Sequence, residues 1–268
     1  MPQTISRFLI VLSLTSAFAA PTFAGPKPPH FDIWLRVVDA NMVTGSISEG
    51  TPGKPLDEFV RVFAADLGED PEFPFAATEP GFQSLPGRDT AGAIFSFDIP
   101  GQLLAWTGST LVPNASTFTI AFGPASVTSS SGPVEGFSFA AQRSGLLHDH
   151  FDFTLNGMGG ADPEPGVFVL PLTFAGEAPV YAPSPTLWLV FNNGQSEEEH
   201  DAVIQYSSLF LACGIDLTTD GVVDAGDIGV LLGAWGTDNA AADLTGDGLV
   251  GADDLALLLG AWGFKCGD

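Results

Sequence analysis

The sequence predicts a mainly β protein: an antiparallel β-sandwich or jelly-roll-like body carrying one helix, followed by a small helical module. Three observations carry that expectation. Short runs rich in Phe, Val, Ile and Thr, alternating with polar residues, recur through residues 25–211 with Gly or Pro usually between them. A Ser-Glu-Glu-Glu stretch at 196–199 is a capping box that opens one amphipathic segment. Residues 216–236 (DLTTDGVVDAGDIGVLLGAWG) and 243–263 (DLTGDGLVGADDLALLLGAWG) repeat one another at an offset of 27 positions.

In chain order, residues 1–24 read as a secretory signal peptide: Arg7, an apolar run over 8–20, and small residues ending at Ala24, where cleavage is expected. The apolar stretch is too short to span a bilayer, and no later segment is long and apolar enough to do so. The expected location is outside the cell or at its surface. The body, 25–211, is long enough for one sandwich or barrel with its own core. Strands are expected at 30–38, 42–48, 60–65, 93–99, 117–122, 134–141, 146–155, 167–174 and 186–191. Regular short strands with turn signals suggest an antiparallel sandwich. The helix opened by Ser196 runs on through Val203, Ile204 and Leu211. Almost no linker separates it from the C-terminal module, expected over 213–268.

Each repeat opens with a loop of EF-hand spacing, with oxygen ligands at positions 1, 3, 5, 7, 9 and 12 and glycine at 6. The first set is Asp216, Thr218, Asp220, the Val222 carbonyl, Asp224 and Asp227, turning at Gly221. The second is Asp243, Thr245, Asp247, the Leu249 carbonyl, Gly251 (through water) and Asp254, turning at Gly248. Hard carboxylates at this spacing suit two Ca²⁺ ions. After each loop Ile228, Leu231, Leu232 and Trp235, and likewise Leu255, Leu258, Leu259 and Trp262, recur at helical spacing before Gly236 and Gly263. Neither unit is large enough to bury its apolar face alone, so the two helices are expected to pack together, with calcium supplying folding free energy.

The doubled loop-helix unit resembles the type I dockerin, which plugs a secreted protein into a cohesin partner. The resemblance implies a cohesin-like protein or cell-surface component as partner. Dockerins often carry hydroxylated residues just before the last ligand; this chain has Ala225-Gly226 and Ala252-Asp253 there. A surface anchor or an intramolecular clamp is the alternative use of the loops. The only two cysteines, Cys213 and Cys266, flank the repeats. In an exported protein such a pair reads as a disulfide, worth about 4 kcal/mol in the chain-entropy picture. A Gly follows each, which resembles the GC-type dockerin.

The four histidines are His30, His148, His150 and His200. His148 and His150 form an H-x-H within LLHDHFDF, on one face of the expected strand. With His30 and His200 they make a ligand set for zinc or copper. Asp32 and Asp152, on the same strand faces as His30 and His148, are candidate ligands or acceptors that orient the imidazoles. The segments HFDIWLRVVDANMVTGSISEG, RVFAADLGE, FGPASVT, LLHDHFDFTL, GVFVLPLTF and LWLVFNNGQSEEEHDAVI resemble an all-β family of secreted bacterial proteins that commonly end in a PEP-CTERM tail or a dockerin. Some relatives are associated with zinc homeostasis, which the histidines would suit.

Loss of Arg7 with the leader takes the net charge from −24 to −25. That acidity argues against nucleic acid or anionic lipid as a partner. Acidic residues are plentiful (Glu58, Asp66, Glu69, Asp98, Glu135), but no spacing singles out a glycosidase pair, and no G-x-S-x-G, H-E-x-x-H or phosphate loop occurs. The expectation is a non-catalytic protein. The alternative is a carbohydrate-binding or polysaccharide-degrading component of a dockerin–cohesin assembly, with Trp34, Trp106 and Trp188 as stacking candidates; core packing is the competing role for Trp34 and Trp188.

Overall fold

The computed structural model describes residues 31–50, 52–57, 59–239, 241–245 and 247–266. The signal segment and His30 lie outside the described residues. The body is mainly β, in three sheets. One runs Leu147–Asp149, Phe82–Ser84, Phe31–Val38, Asn41–Ser48, Pro55–Asp57. A second runs Ala125–Thr128, Thr117–Phe122, Asp152–Asn156, Ala76–Ala77. The largest is built on Val134–Ala140, Ile94–Ile99, Gly166–Ala178, Leu187–Asn193 and Val62–Asp66.

The wholly antiparallel expectation is corrected in two places. Phe31–Val38 pairs in parallel with Phe82–Ser84, and Leu187–Asn193 pairs in parallel with Val62–Asp66. Parallel neighbours need long crossovers rather than tight hairpins. Both pairs here join strands far apart in sequence, which no local turn signal announces.

The core explains the abundance of phenylalanine. Phe82, Phe97, Phe151, Phe153, Phe174 and Phe191 are all buried. The Phe82 and Phe151 rings are 4.5 Å apart between centroids, and Phe153 lies 5.3 Å from Phe191. Phe151 also changes the expected strand 146–155. Burying it, at 0% exposure, breaks the run into Leu147–Asp149 and Asp152–Asn156, which belong to different sheets.

The helix α1 spans Glu197–Tyr206 and continues as a wider π-helical turn over Ser207–Leu211. Its start is as expected: the Ser196 hydroxyl accepts the Glu199 amide at 3.3 Å. Val203 packs into a small cluster with Val167, Val169 and Val190, with Trp106 and Trp188 against it.

The C-terminal repeats form α2 (Ala225–Gly233) and α3 (Ala252–Gly260). Their pairing is reciprocal. The Val223 amide donates to the Phe264 carbonyl (2.9 Å), and the Gly263 amide to Val223 (2.9 Å). At the equivalent positions Val250 donates to Thr237 (2.8 Å) and Gly236 to Val250 (2.9 Å). Val223, Leu231, Val250 and Leu258 are fully buried between the two halves. Gly236 and Gly263, at φ 75° and 79°, make the left-handed turns that bring each helix end back to the other loop.

The expected packing of the helices is corrected in one respect. Leu232, Trp235, Leu259 and Trp262 are about half exposed (51, 45, 51 and 54%) rather than buried. The stripe through Ile228, Leu231 and Ala234, and its counterpart Leu255, Leu258 and Ala261, turns inward, with Leu257 partly buried beside it. The module rests directly on the body. The Gln205 amide donates to the carbonyls of Leu244 and Thr245 (3.0 and 2.9 Å), and Arg61 donates to Ala212 (3.3 Å).

Candidate metal centre

Asp32, His148 and His150 come together at one end of the first sheet. Each offers a ligand atom, and these lie within 4.8 Å of one another; among the described residues no other group of three His, Cys, Asp or Glu ligand atoms is so placed. The register explains the meeting. Ile33 and Trp34 lie beside Phe82 and Gln83, and Gln83 in turn faces His148 on the next strand. His150 follows the end of that strand, just before the chain dives into the core at Phe151.

Nε2 of His148 is 3.1 Å from Nε2 of His150 and 3.4 Å from Oδ2 of Asp32. With zinc–nitrogen bonds of about 2.0–2.1 Å, tetrahedral neighbours stand about 3.3 Å apart, so these separations fit a shared ion. Two imidazole nitrogens and a carboxylate at this range repel unless a proton or a metal cation lies between them. On the outer side of His150, Nδ1 is 3.1 Å from Glu79 Oε1 and 3.2 Å from the Thr78 carbonyl. Donation there places the proton on Nδ1 and leaves the Nε2 lone pair facing the group. This is the carboxylate–histidine arrangement that orients metal-binding imidazoles.

Asp32 is 0% exposed, a costly place for a carboxylate without partners. It has them: Oδ1 accepts the Gly81 amide at 3.0 Å, and Oδ2 accepts the side-chain amide of Gln83 in a short contact. Gln83 is itself pinned, giving its amide to the Ser48 carbonyl (3.3 Å) and accepting the Gly53 amide (3.2 Å). Gly81 is required by space. A Cβ there would fall 2.7 Å from Asp32 Oδ1 and 2.7 Å from His150 Cε1. Burial pushes the Glu79 carboxyl above the usual range; Asp32 and Glu49 add to the rise and His150 opposes it. Burial also raises Asp149, between the two histidines, against their opposing charge.

The other expected ligands are elsewhere or undescribed. His30 lies outside the described residues. His200 is buried on α1, with Nε2 3.3 Å from the Val190 carbonyl and Nδ1 3.7 Å from Asp66, so it fastens the helix to the sheet. Its place in the zinc or copper set is therefore corrected. Asp152 is exposed opposite Ala121, outside the group. Glu79, Gly81 and Gln83 had no spacing signal in the sequence, because the crossover brings them in.

The two calcium-type loops fold alike. In the first, Asp227 accepts the amides of Thr218 (2.9 Å) and Asp224 (2.7 Å), while Asp216 accepts that of Gly221 (2.8 Å). In the second, Asp254 accepts those of Thr245 (2.9 Å) and Gly251 (2.6 Å), and Asp243 that of Gly248 (2.8 Å). Gly221 and Gly248 have φ of 91° and 87°, as position 6 demands. Asp220 and Asp247 cap their own turns through the amides of Val222 and Leu249 (3.0 and 2.8 Å), and Asp224 accepts Gly226 at 2.7 Å. The loop carboxylates thus face backbone amides and do not converge as the Asp32 group does. Burial opposes ionisation of Asp227 and Asp254, but the amides and the Thr218 or Thr245 hydroxyl outweigh it and hold both below the usual carboxylate range.

Cys213 and Cys266 are free thiols, so the expected disulfide is not formed. They are nonetheless neighbours: burial, a hydrogen bond to Cys213 and nearby carboxylates push the Cys266 thiol up to about 12.

The tryptophans make no shared open platform. Arg36 lies over Trp34 at 4.4 Å, and Trp106 meets Tyr206 edge-on at 5.1 Å. Trp188 packs on the valine cluster with Nε1 buried and unpartnered. Of the acidic residues, Asp98 and Glu135 are cross-strand partners on an open cleft of about 550 Å³, and both are exposed.

The fold and this group define a mainly β protein with a candidate histidine–carboxylate metal centre. Comparison with protein-family models, curated proteins and solved structures gave no match. No helix among the described residues is long and apolar enough to cross a membrane.

Proposed function

We propose that the protein is an exported, non-catalytic metal-binding protein whose β-sheet body holds a transition metal at Asp32, His148 and His150. Its C-terminal pair of calcium loops serves as the attachment module. The observation that carries this reading is the 3.1 Å approach of the two Nε2 atoms beside a buried carboxylate, with His150 oriented from behind by Glu79. Two imidazoles and one carboxylate suit zinc, with a fourth position left for water or a passing ligand. Copper is the runner-up ion, since imidazole nitrogen suits both.

For the module, the resemblance to dockerins and the equivalent folding of both loops support two Ca²⁺ sites. The exposed Leu232, Trp235, Leu259 and Trp262 occupy corresponding positions in the two repeats, an apolar surface of the kind that partner proteins cover.

The test uses the full mature chain freed of metal and titrated calorimetrically with Zn²⁺ and Cu²⁺, beside His148→Ala/His150→Ala. About one ion per chain, lost in the double variant, supports the proposal. Equal uptake by both proteins, or none by the parent, removes it.

A further inference from the structure

A cavity of about 210 Å³ opens where the outer edge of the largest sheet, the first sheet and α1 meet, and it shares no residue with the metal centre. The edge strand is Val62–Asp66, which pairs with Leu187–Asn193. The Trp188 amide donates to the Arg61 carbonyl (2.7 Å), and the Leu67 amide to the Asn192 carbonyl (2.9 Å). Backbone groups alternate sides along a strand, so those of Val62 and Ala64 face away from that neighbour. Among the described residues no strand pairs with that side, and both residues line the cavity.

α1 contributes Glu197, Asp201 and Ile204, which share one helical face at spacings of four and three. Val60, Val62, Ala64 and Ile204, with Phe31 of the first sheet, give an apolar wall. Four carboxylates meet it: Asp57, Asp66, Glu197 and Asp201. Among the described residues no lysine or arginine lines the cavity. Asp57 and Glu197 are exposed, whereas Asp66 is 18% exposed. Asp66 is also held in place: Oδ1 accepts the Asn192 side-chain amide at 3.0 Å, and Asn192 is itself fixed on the backbone of Gln195 (3.2 and 2.8 Å). The Asp57 amide donates to the Ser46 hydroxyl at 3.2 Å, which anchors the opposite side.

The lining selects among ligands by chemistry. A bare metal ion would find too few oxygens, because no three carboxylates here bring ligand atoms within 4.8 Å of one another as the Asp32 group does. An anion would meet four like charges. A neutral apolar molecule would use the wall alone. An organic ammonium uses both parts: it has N–H donors and no acceptor, and its bonds to carboxylates are charge-assisted. A concave site lined by one sign of charge also concentrates counter-ions. Size sets the rest. A cavity of about 150 Å³ holds benzene, so this one admits a ring and about two further heavy atoms.

We propose that this cavity binds a small primary ammonium compound with a compact apolar body of about seven carbons, the body against the apolar wall and the ammonium at the carboxylates and the free edge of Val62–Asp66. The site is independent of the metal centre.

The experiment is an NMR titration of the full mature chain, freed of transition metal and kept in calcium, with benzylammonium, benzyl alcohol and benzoate. Benzylammonium is expected to bind at about 1 mM or tighter, and roughly tenfold better than benzyl alcohol, with benzoate weakest. Asp57→Asn/Asp201→Asn should bring the amine to within about twofold of the alcohol and leave the alcohol unchanged. Ala64→Leu, which narrows the cavity, should weaken both. His148→Ala/His150→Ala should bind the amine as the parent does; loss there would assign the amine to the metal centre and overturn the proposal. No binding by the parent, or no preference for the amine over the alcohol, overturns it as well. So does a preference that survives in the Asp57→Asn/Asp201→Asn chain, a test that stands even if Ala64→Leu fails to fold.

Discussion

Gly81→Ala tests the metal centre without touching a ligand. The added methyl would sit 2.7 Å from Asp32 Oδ1 and from His150 Cε1, and 2.9 Å from His150 Nδ1. Non-bonded contacts to carbon settle at about 3.5 Å, so the added carbon and these neighbours must part by roughly 0.8 Å. Metal–ligand distances tolerate only about 0.2 Å. The backbone has little room to retreat, because the Gly81 amide holds Asp32 at 3.0 Å and its carbonyl accepts the Ile33 amide at 2.8 Å. Asp32 is also fixed by Gln83. The His150 ring is therefore displaced, and with it the contact to Glu79. Zinc affinity should fall about 10- to 100-fold, the loss that follows when a supporting shell is disturbed. Competition against a chromophoric chelator measures it, with circular dichroism confirming that the sheets remain. A folded variant that binds zinc as tightly as the parent would falsify the assignment of this corner as the site.

Two further outcomes concern the C-terminal module. Asp216→Ala with Asp243→Ala should abolish its calcium response: the parent gains helical circular dichroism and loses it on adding EDTA, while the variant spectrum stays the same in both buffers. A parent spectrum indifferent to EDTA is the contrary result. In calcium-containing buffer the module should also be acid-labile, because Asp227 and Asp254 ionise more readily folded than unfolded and a neighbouring cation favours the charged carboxylates further. A depressed carboxylate stabilises the fold fully above the unfolded value of about 3.9 and ceases to do so as pH falls through the lower folded value. Tryptophan fluorescence from Trp235 and Trp262 should hold at about pH 5 and change below about pH 4; a module that loosens on raising pH from 5 to 7 contradicts the sign.

Local chemistry was legible in the sequence, and long-range placement was not. The Ser196 N-cap and Gly221, Gly236, Gly248 and Gly263 each act where the pattern put them, because each depends only on a few neighbouring residues. The H-x-H pair also met as expected, although the strand ends between its members. Asp32 was in view as a candidate only through its spacing from His30; what places it at the site is a parallel neighbour 49 positions away in the case of Gly81. Glu79 and Gln83 arrive by the same crossover, and no periodicity encodes that. His200 misled because one histidine on an inward helical face looks the same whether it binds an ion or a carbonyl. The apolar residues of the repeats were read as a single inward stripe, whereas Leu232 and Trp235 diverge from Ile228 and Leu231 around the helix and stay outside.

The crossed hydrogen bonds between the repeats make them halves of one object. Val223 finds its backbone partners only after the second helix, and Val250 finds its own only after the first. A chain ending at Gly236 would carry a complete loop and helix yet lack the strand its valine needs, so a single repeat has no finished surface to fold against. The two halves should therefore melt together. Lengthening the connection near Asp238 should be tolerated far better than removing either end, because it deletes neither member of the crossed pairs that Val223 and Val250 make.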